Sequence, residues 1–488
     1  MALRRTPHTL SLAAATGSVL VLSPVTAARL AAGGAESRPR FTAGAPGLGD
    51  PYFPLEGNGG YDVRHYGLTF SYDPATDRLD GTAVITARAT QNLSRFDLDL
   101  KQLDVRAVTV DGRAATFTRR GQELVITPPR GLREATTFVV AVTYGGVPRT
   151  IADSPVMFGS PYGFVHTDDG VFTGDQPNAA STWFPSNDHP SDKAAFTFRV
   201  TVPKGLGVIA GGRLVSRRTS GDRTTYVWDA RTPMSTYLAT AGIGRWTVRT
   251  GTTPGGVPMT VAVDPKLAGR VREVPDPLAY FWDTTGEATD LWVRMFGPYP
   301  FDSTGAIADL ATYGGKPIGF SLETQTRPLY SDVRDRATIA HEIAHQWFGD
   351  SVSLRSWRDI WLNESFATFA ELYWNERHGG RSLPEQARLI YGLHPAGDPW
   401  WNVEIADPGR NTMFHDRVYK GGAMVLQFLR ERIGDEKFFP LLRTWLARHA
   451  YGTATTAQFT TLAGEIAGQD LSGFFDTWIH STGKPALA

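Results

Sequence analysis

The sequence predicts an α+β protein of more than one domain, in which an antiparallel β domain precedes a mainly helical domain. Between residues 61 and 250, apolar residues mostly alternate with polar ones, whereas after about residue 260 they recur at helical spacing. The chain also has 488 residues, more than one hydrophobic core usually organises. We therefore place the β domain at 51–250 and the helical domain at 251–488.

The strands of the β domain are predicted from alternation and from β-branched or aromatic runs. Within residues 96–100, apolar side chains alternate with Asp97 and Asp99, as in a strand with only one face in the core. The Asp-Gly pair at 111–112 is typical of a hairpin turn. Further strands are predicted at 108–110, 124–126, 138–144, 196–202, 224–228 and 246–249.

The second half is predicted to be helical from spacing and capping residues. Thr455 or Thr456 is a suitable N-cap for one of the last helices. A short strand is expected at 320–326, ahead of the second helix. The predicted helices cover residues 277–296, 336–348, 359–377 and most of 419–480.

The N-terminus has the pattern of a signal peptide, predicted at residues 1–28. Arg4 and Arg5 precede an apolar stretch at 10–22, and small residues suited to cleavage follow. The stretch is too short to span a membrane comfortably. Residues 29–50 are rich in Ala, Gly, Pro and Arg and predict a disordered, mobile leader. The mature protein is therefore expected to be secreted, extracellular and free of stable membrane insertion.

Composition excludes several classes of function. The formal net charge is +0 and the pI is near 7.2, so no general electrostatic attraction to nucleic acid or to anionic membranes is expected. The sequence contains no cysteine. Disulfides, thiolate metal ligands and a cysteine nucleophile are thereby excluded.

A metal site is predicted from the segment His341-Glu342-Ile343-Ala344-His345 and from Glu364. Two imidazoles four residues apart on a helix lie about 40° apart around its axis, so both face the same way. A catalytic zinc takes three protein ligands and leaves one position for water. Glu364 is far enough along the chain for a second helix to bring it to the third position. Glu342 can reach the water without binding the metal.

The same five-residue pattern also arises by chance in long sequences. Here it lies on an apolar-faced helix and is followed by a carboxylate within a second helical pattern. These features favour a zinc hydrolase. A degenerate site that binds metal without turnover remains the alternative.

Two motifs carry a specific resemblance. His-Glu-Ile-Ala-His-Gln-Trp-Phe-Gly-Asp at 341–350 and Trp-Leu-Asn-Glu-Ser-Phe-Ala at 361–367 resemble the central signature of the aminopeptidase N family of zinc peptidases. The resemblance extends from about Tyr61 to the C-terminus. It implies a thermolysin-like catalytic domain after the β domain, and one Zn²⁺ per chain. The zinc ligands would be His341, His345 and Glu364.

The resemblance also implies roles for residues around the metal. Glu342 would be the general base. Phe-Ser-Leu-Glu-Thr at 320–324 occupies the place of the family's Gly-Ala-Met-Glu-Asn and keeps its glutamate, Glu323, as a clamp for the substrate's N-terminal ammonium. The alternative for Glu323 is an exposed strand glutamate. Because the neighbouring residues differ, the shape of the subsite does not follow from the family.

Two further residues are implied by local resemblance. Tyr-Lys-Gly-Gly at 419–422 is similar to the family's Tyr-Glu-Lys-Gly, so Tyr419 would donate to the oxyanion of the tetrahedral intermediate. The segment 176–185 resembles the β-domain segment that supplies a second amine contact, which falls on Gln176. The alternative for Tyr419 is a packing tyrosine at a helix start.

Glu371 is a candidate from spacing alone. It follows Glu364 by seven residues on the same helical face and could accept a hydrogen bond from the outer nitrogen of a zinc histidine. A solvated helix carboxylate is the equal alternative.

These observations predict an exported, monomeric zinc aminopeptidase that acts on peptides with a free N-terminus. Family members often carry a C-terminal helical domain over the active site. Since this chain ends at Ala488, we expect a more open cleft. Two alternatives remain at this point, namely an endopeptidase or other zinc hydrolase on the same scaffold, and a secreted binding protein with a dead site.

Overall fold

The computed structural model describes residues 39–487. The predicted signal peptide and residues 29–38 of the predicted leader lie outside this range.

In the N-terminal half, the strands are β1 (Thr42–Ala43), β2 (Tyr61–Asp73), β3 (Arg78–Ala89), β4 (Leu93–Asp99), β5 (Asp104–Val110), β6 (Arg113–Ala114), β7 (Thr116–Arg120), β8 (Glu123–Thr127), β9 (Thr137–Gly146), β10 (Thr150–Ile151), β11 (Tyr162–His166), β12 (Val171–Gly174), β13 (Lys193–Pro203), β14 (Gly207–Ala210), β15 (Arg213–Ser220), β16 (Arg223–Ser235) and β17 (Ala241–Gly244).

Three sheets make up this half. The largest has the order β15-β16-β13-β2-β3-β9-β5-β6, and the other two have the orders β1-β4-β8-β7 and β10-β11-β12-β17-β14. The β-rich N-terminal domain is confirmed, but the sheets are not purely antiparallel, because β13 runs parallel to β2 and β1 runs parallel to β4. In the large sheet, the long connection through the other two sheets lets β13 return beside β2 in the same direction.

The polar face of β4 is buried, contrary to the half-exposed strand expected from its alternation. Asp97 and Asp99 are 7% and 0% exposed. Asp99 is buried because the segment around Gly57 and Asn58 packs over it, and the alternation of residues in β4 does not indicate this contact. The backbone N–H of Gly57 and the side-chain amide of Asn58 donate to Asp99 Oδ2, at 3.0 and 3.2 Å.

Residues 40–60, here called the N-terminal segment, are ordered, so the predicted mobile leader is wrong for residues 40–50. Strand β1 pairs with β4, and Asp50 is buried. The Asp50 carboxylate accepts hydrogen bonds from both halves of the chain. Its donors are the amides of Tyr52, Phe53 and Trp357, the hydroxyl of Ser356 and the imidazole of His189. Long-range partners, absent from any local pattern, fix this segment.

Replacing Asp50 by Asn is expected to destabilise the protein. Burial would raise the pKa of Asp50, but the hydrogen bonds from His189, Trp357, Ser356 and Tyr52 outweigh it and hold the pKa below its usual range. Removing the charge from such a buried network should lower the free energy of unfolding at neutral pH by about 3 kcal/mol. Thermal or urea unfolding measures this difference.

The pH dependence of the same variant follows from the sign of the shift. Because the folded pKa lies below the unfolded one, the stabilisation is complete above the unfolded pKa of about 4 and is lost as the pH falls through the folded value. The gap between parent and Asp50→Asn should therefore narrow in acid. Asp62→Asn removes a partly exposed carboxylate that pairs with Arg64 at the surface, so it is the matched control and should change the stability little. Equal stability of Asp50→Asn and Asp62→Asn would contradict the prediction.

The C-terminal half combines helices with one mixed five-stranded sheet and two sheets of two strands each. The strands of this half are β18 (Thr247–Thr252), β19 (Pro258–Val263), β20 (Thr304–Ala308), β21 (Thr312–Tyr313), β22 (Lys316–Pro317), β23 (Ser321–Leu322), β24 (Leu329–Tyr330), β25 (Ser353–Leu354) and β26 (Thr453–Ala454). The mixed sheet has the order β18-β19-β20-β24-β23, and the two small sheets are β21-β22 and β25-β26. Its helices are α1 (Pro277–Phe296), α2 (Arg336–Ala344), α3 (Trp361–Arg377), α4 (Leu383–Leu393), α5 (Gly422–Ile433), α6 (Asp435–His449), α7 (Thr456–Ala467) and α8 (Ser472–Trp478).

The predicted boundary at 250/251 falls inside β18. This strand pairs with β19, so it belongs to the sheet of the C-terminal half. Helix α1 has the predicted bounds, and Thr455 caps α7 with a capping box. None of the helices within residues 39–487 is both long and apolar enough to cross a membrane.

Helix α2 ends earlier than the predicted 336–348. Asp335 caps its start by accepting a hydrogen bond from the Thr338 amide, and the helix stops at Ala344. The carbonyl of His345 accepts from the Asp350 amide instead of continuing the helical ladder, and Gly349 adopts φ +129°. The chain therefore turns sharply just beyond the second imidazole.

Candidate active site

Helices α2 and α3 pack together and bring three side chains to one point. His341 and His345 lie at the end of α2, and Glu364 lies in the first turn of α3. The two Nε2 atoms are 3.1 Å apart, and Glu364 Oε2 lies 3.3 Å from His345 Nε2 and 3.6 Å from His341 Nε2. All three side chains are buried. The structure thus brings the sequence-predicted ligands together.

The outer nitrogens of both imidazoles face acceptors. His345 Nδ1 lies 2.9 Å from the carbonyl oxygen of Phe348, and His341 Nδ1 lies 3.2 Å from Glu371 Oε2. An N–H on each Nδ1 leaves both Nε2 lone pairs directed at the common point, the tautomer that a metal requires. Glu371 therefore lies next to His341, at ion-pair distance from its outer nitrogen.

The arrangement fits a zinc ion. Two imidazole nitrogens and one carboxylate oxygen, all within 4.8 Å of one another, are the donor set of catalytic zinc sites that keep an open position. Two Nε2 atoms 3.1 Å apart cannot both carry a proton, and a shared cation satisfies both lone pairs. Calcium or magnesium would require more oxygen ligands than this triad offers.

Glu342 lies beside the triad and is not part of it. Its side chain is buried, with only 7% of its surface exposed. Burial raises the pKa of Glu342 to about 7. Glu342, Glu323 and His345 each have a ligand atom within 4.8 Å of the other two. A carboxylate so placed can exchange a proton with a molecule bound in the cleft.

Glu323 and Gln176 form a pair across the two halves of the protein. Glu323 follows strand β23, and Gln176 lies beyond β12, with its Nε2 donating to Glu323 Oε1 at 2.9 Å. Both side chains are buried, so Glu323 is not the exposed strand glutamate of the alternative interpretation. Burial raises the pKa of Glu323. The pair presents a carboxylate and an amide on the same side of the triad as Glu342.

Tyr419 lies on a π-helical turn, Arg417–Gly421, that leads directly into α5. Its ring is nearly parallel to the imidazole of His341, with an interplanar angle of 12° and centroids 6.3 Å apart. Ser365 of α3 holds the turn by donating to the Val418 carbonyl at 2.6 Å. A Cβ on Gly422 would lie 1.8 Å from Ser365 Oγ, so only glycine permits this approach. Burial raises the pKa of Tyr419, which keeps its hydroxyl protonated and able to donate.

Two residues that support the site were not predicted. Gln346 joins α2 to the Glu323 segment, since its Oε1 accepts from the Thr326 amide at 2.7 Å and its Nε2 donates to the Glu323 carbonyl at 3.2 Å. Lys193, at the start of β13, donates to the carbonyls of Asp350 and Ser351, at 2.7 and 3.0 Å. For Gln346, the only signal in the sequence was its position directly after the ligand histidine His345. Nothing local identifies Lys193.

Family models match both halves of the chain. The Peptidase M1 N-terminal domain matches residues 63–238, and the Peptidase family M1 domain matches residues 320–478. Sequence relatives include the leucyl aminopeptidase of Saccharolobus solfataricus, which is 29% identical over 63% of this chain and 40% of its own length. The aminopeptidase N of Lactococcus lactis is 25% identical over 87% of this chain and 51% of its own length. The chain thus spans about half or less of these curated relatives.

Solved structures agree over nearly the whole fold. The M1 zinc metallopeptidase of Deinococcus radiodurans superposes with a TM-score of 0.79 at 26% identity, covering 91% of this chain and 98% of that one. A mutant of that protein bound to a Tyr-Ser-Ala substrate gives a TM-score of 0.80 at 27% identity, covering 91% and 99%. With both family models matched in order and a His-His-Glu triad in place, the chain belongs to the M1, or aminopeptidase N, family of zinc metallopeptidases.

Proposed function

We propose that this protein is an exported zinc aminopeptidase that removes the N-terminal residue of peptides, with Glu342 as its general base. The observation that carries the proposal is the buried Glu323–Gln176 pair beside Glu342 and the metal triad. A carboxylate fixed at that place selects a free ammonium and disfavours an internal peptide bond. An endopeptidase, which cleaves internal peptide bonds, does not require a carboxylate that binds an N-terminal ammonium.

Each residue has a role in the proposed reaction. His341, His345 and Glu364 hold the zinc, which when bound supplies Lewis acidity toward a water molecule and the scissile carbonyl. Glu323 and Gln176 bind the substrate's ammonium and so set the distance from the chain end to the bond that is cut. Glu342 takes a proton from the attacking water and passes it to the leaving amine.

Two further side chains support these steps. The Tyr419 hydroxyl donates to the oxyanion that develops on the substrate's carbonyl. Glu371 accepts from the outer nitrogen of His341 and fixes its orientation. The identity of the N-terminal residue is left open, because relatives named leucyl and glutamyl aminopeptidases match similarly well.

The proposed setting of the enzyme rests on the sequence. Export is supported by the signal-peptide pattern at residues 1–28. The near-neutral net charge provides no general attraction to nucleic acid or to anionic membranes, and we propose a monomer that acts on peptides with a free N-terminus. The N-terminal sequence of the protein in the culture medium tests the export and the cleavage site together.

The amine clamp is tested by changing Glu323 and the substrate in turn. Glu323→Ala should leave zinc bound and lower kcat/KM for aminoacyl amides more than tenfold, because losing a charge-assisted contact costs about 2 kcal/mol. Acetylating the substrate's amine removes the same contact from the other side. The two changes together should therefore cost much less than their sum.

We would measure kcat/KM for the parent and for Glu323→Ala, each with the free and the acetylated substrate. Glu287→Ala, an exposed glutamate on α1, is the matched control and should match the parent with both substrates. Additive losses for Glu323→Ala would mean that Glu323 does not recognise the amine. Efficient cleavage of the acetylated peptide by the parent would instead favour an endopeptidase, and absence of any turnover with zinc bound would favour a binding protein.

A further inference from the structure

Arg417 and Tyr419 extend from opposite sides of the same π-helical turn. The turn spans Arg417–Gly421, and side chains two residues apart on a helical turn point in nearly opposite directions. The Tyr419 ring lies nearly parallel to the imidazole of His341, beside the metal triad. The side chain of Arg417 is buried among other residues. Whatever holds Arg417 therefore also fixes the backbone from which Tyr419 extends.

The guanidinium of Arg417 is held by two tryptophan rings and by the end of a helix. Its central carbon lies 4.7 Å from the ring centroid of Trp400 and 4.5 Å from that of Trp401. The two rings meet at 85°, so the cation lies in the corner between them. Arg417 Nη2 donates to the carbonyl of Trp478 at 3.2 Å. Trp478 is the last residue of α8, where carbonyls have no partner within the helix.

The turn packs closely against this guanidinium on one side and against helix α3 on the other. A Cβ on Gly421 would lie 2.6 Å from Arg417 Nη1, so glycine is needed for the close approach. On the other side, the hydroxyl of Ser365 in α3 donates to the Val418 carbonyl at 2.6 Å. Arg417 and Ser365 thus fix the turn from two directions, and Tyr419 extends from the segment between these contacts.

The contacts of Arg417 favour a geometric role over a stabilising one. Its Nε and Nη1 atoms have no hydrogen-bond partner among residues 39–487. A buried charge with so few partners is costly, and an apolar side chain of similar length would avoid that cost. The guanidinium does provide a rigid planar group that reaches both tryptophan rings and the end of α8 at once. The benefit that offsets the cost is therefore expected in the position of the turn.

We propose that Arg417 is a positioning residue that holds the Tyr419 hydroxyl where it can donate to the oxyanion. This inference rests on the proposed role of Tyr419 in the aminopeptidase reaction. The effect of Arg417 passes along the backbone of the π-helical turn. The oxyanion contact forms mainly in the transition state, so its loss lowers kcat. KM depends on the amine contacts of Glu323 and Gln176 and should change little.

The kinetic test compares Arg417→Met with Tyr419→Phe and with the double variant. Tyr419→Phe should lower kcat roughly 10²–10³-fold, the usual effect of losing one oxyanion donor. Arg417→Met should lower kcat by about tenfold or more, with KM within about twofold of the parent and zinc retained. In the Tyr419→Phe background, the same substitution should cost less than about twofold, because the hydroxyl that it positions is absent.

A matched control addresses the loss of a stacked arginine in general. Arg432 lies on α5, with its guanidinium carbon 5.8 Å from the ring centroid of Phe474. Arg432→Met removes the same kind of contact outside the turn and should match the parent in kcat and KM.

The position of Tyr419 is measured separately from turnover. In a crystal structure of zinc-loaded Arg417→Met, the Tyr419 ring should no longer lie parallel to His341. Zinc content and the thermal midpoint show whether the variant is folded. If it is not, Arg417→Lys takes its place, because lysine keeps the charge but loses the planar fork. We expect a smaller loss of kcat of the same kind in that variant.

The outcomes separate this inference from the proposed function. A folded Arg417 variant with the parent's kcat and the parent's Tyr419 position would overturn the inference. An equal loss of kcat with and without the Tyr419 hydroxyl would also overturn it. If the ring moves but Tyr419→Phe keeps the parent's kcat, Arg417 does position the ring and the proposed role of Tyr419 fails. If Tyr419→Phe loses activity and the Arg417 variants do not, the inference alone fails.

Discussion

Glu342→Gln is expected to remove nearly all turnover while leaving the zinc in place. The side chain lies beside the triad and is not one of its three ligands, so the amide should not disturb metal binding. It cannot take a proton from the attacking water, and loss of a general base typically costs roughly 10²–10⁴-fold in rate. We would measure kcat with aminoacyl amides and zinc by metal analysis on the same preparation.

The contrast with a control makes this result specific. Glu287→Gln, the same change on an exposed part of α1, should keep both activity and zinc. A fully active Glu342→Gln protein would exclude Glu342 as the base. An inactive variant that has also lost its zinc would instead place Glu342 among the groups that hold the metal.

Glu364→Ala is expected to lower zinc content and thermal stability together. The substitution leaves two imidazoles to hold the ion, and an ion that binds only the folded state adds about 2.7 kcal/mol to stability at a hundredfold excess over its dissociation constant. The parent should therefore melt at a higher temperature than the variant when zinc is present. Differential scanning calorimetry with metal analysis measures both quantities.

Chelator separates the metal's contribution from any packing defect. Once zinc is stripped from both proteins, the gap between their thermal midpoints should shrink, because the parent loses what the variant already lacks. A gap that persists unchanged in chelator would indicate a packing defect. Unchanged zinc content and midpoint in Glu364→Ala would show that Glu364 is not a ligand.

The parts of the structure that the sequence predicted well are those specified by neighbours in the chain. Helix α1 spans the predicted Pro277–Phe296 because its apolar spacing and its N-cap, Asp276, are local features. The histidines of α2 share a face for the same reason. Glu364 needed only the second helix to pack on the first.

The parts that escaped prediction depend on distant partners. Asp50 is ordered because His189 and Trp357 donate to it, and neither is near it in the sequence. The sequence pattern predicts that Asp99 faces solvent, whereas in the structure the N-terminal segment covers it. The amine of Lys193 donates to the Asp350 carbonyl in the loop that follows α2, and no residue near Lys193 in the sequence indicates this contact. Composition and periodicity do not indicate contacts between residues that are distant in the sequence.

The pairing of Gln176 with Glu323 has a consequence for how such a protein can change over time. The residues proposed to break the bond all lie after residue 320, whereas one partner of the amine-binding pair comes from a different domain. Substitutions around Gln176 can therefore alter which chain ends are accepted without touching the hydrolytic residues. A gene fusion that exchanged the N-terminal half with that of a relative would retain the hydrolytic residues and acquire a different preference for the N-terminal residue of the substrate.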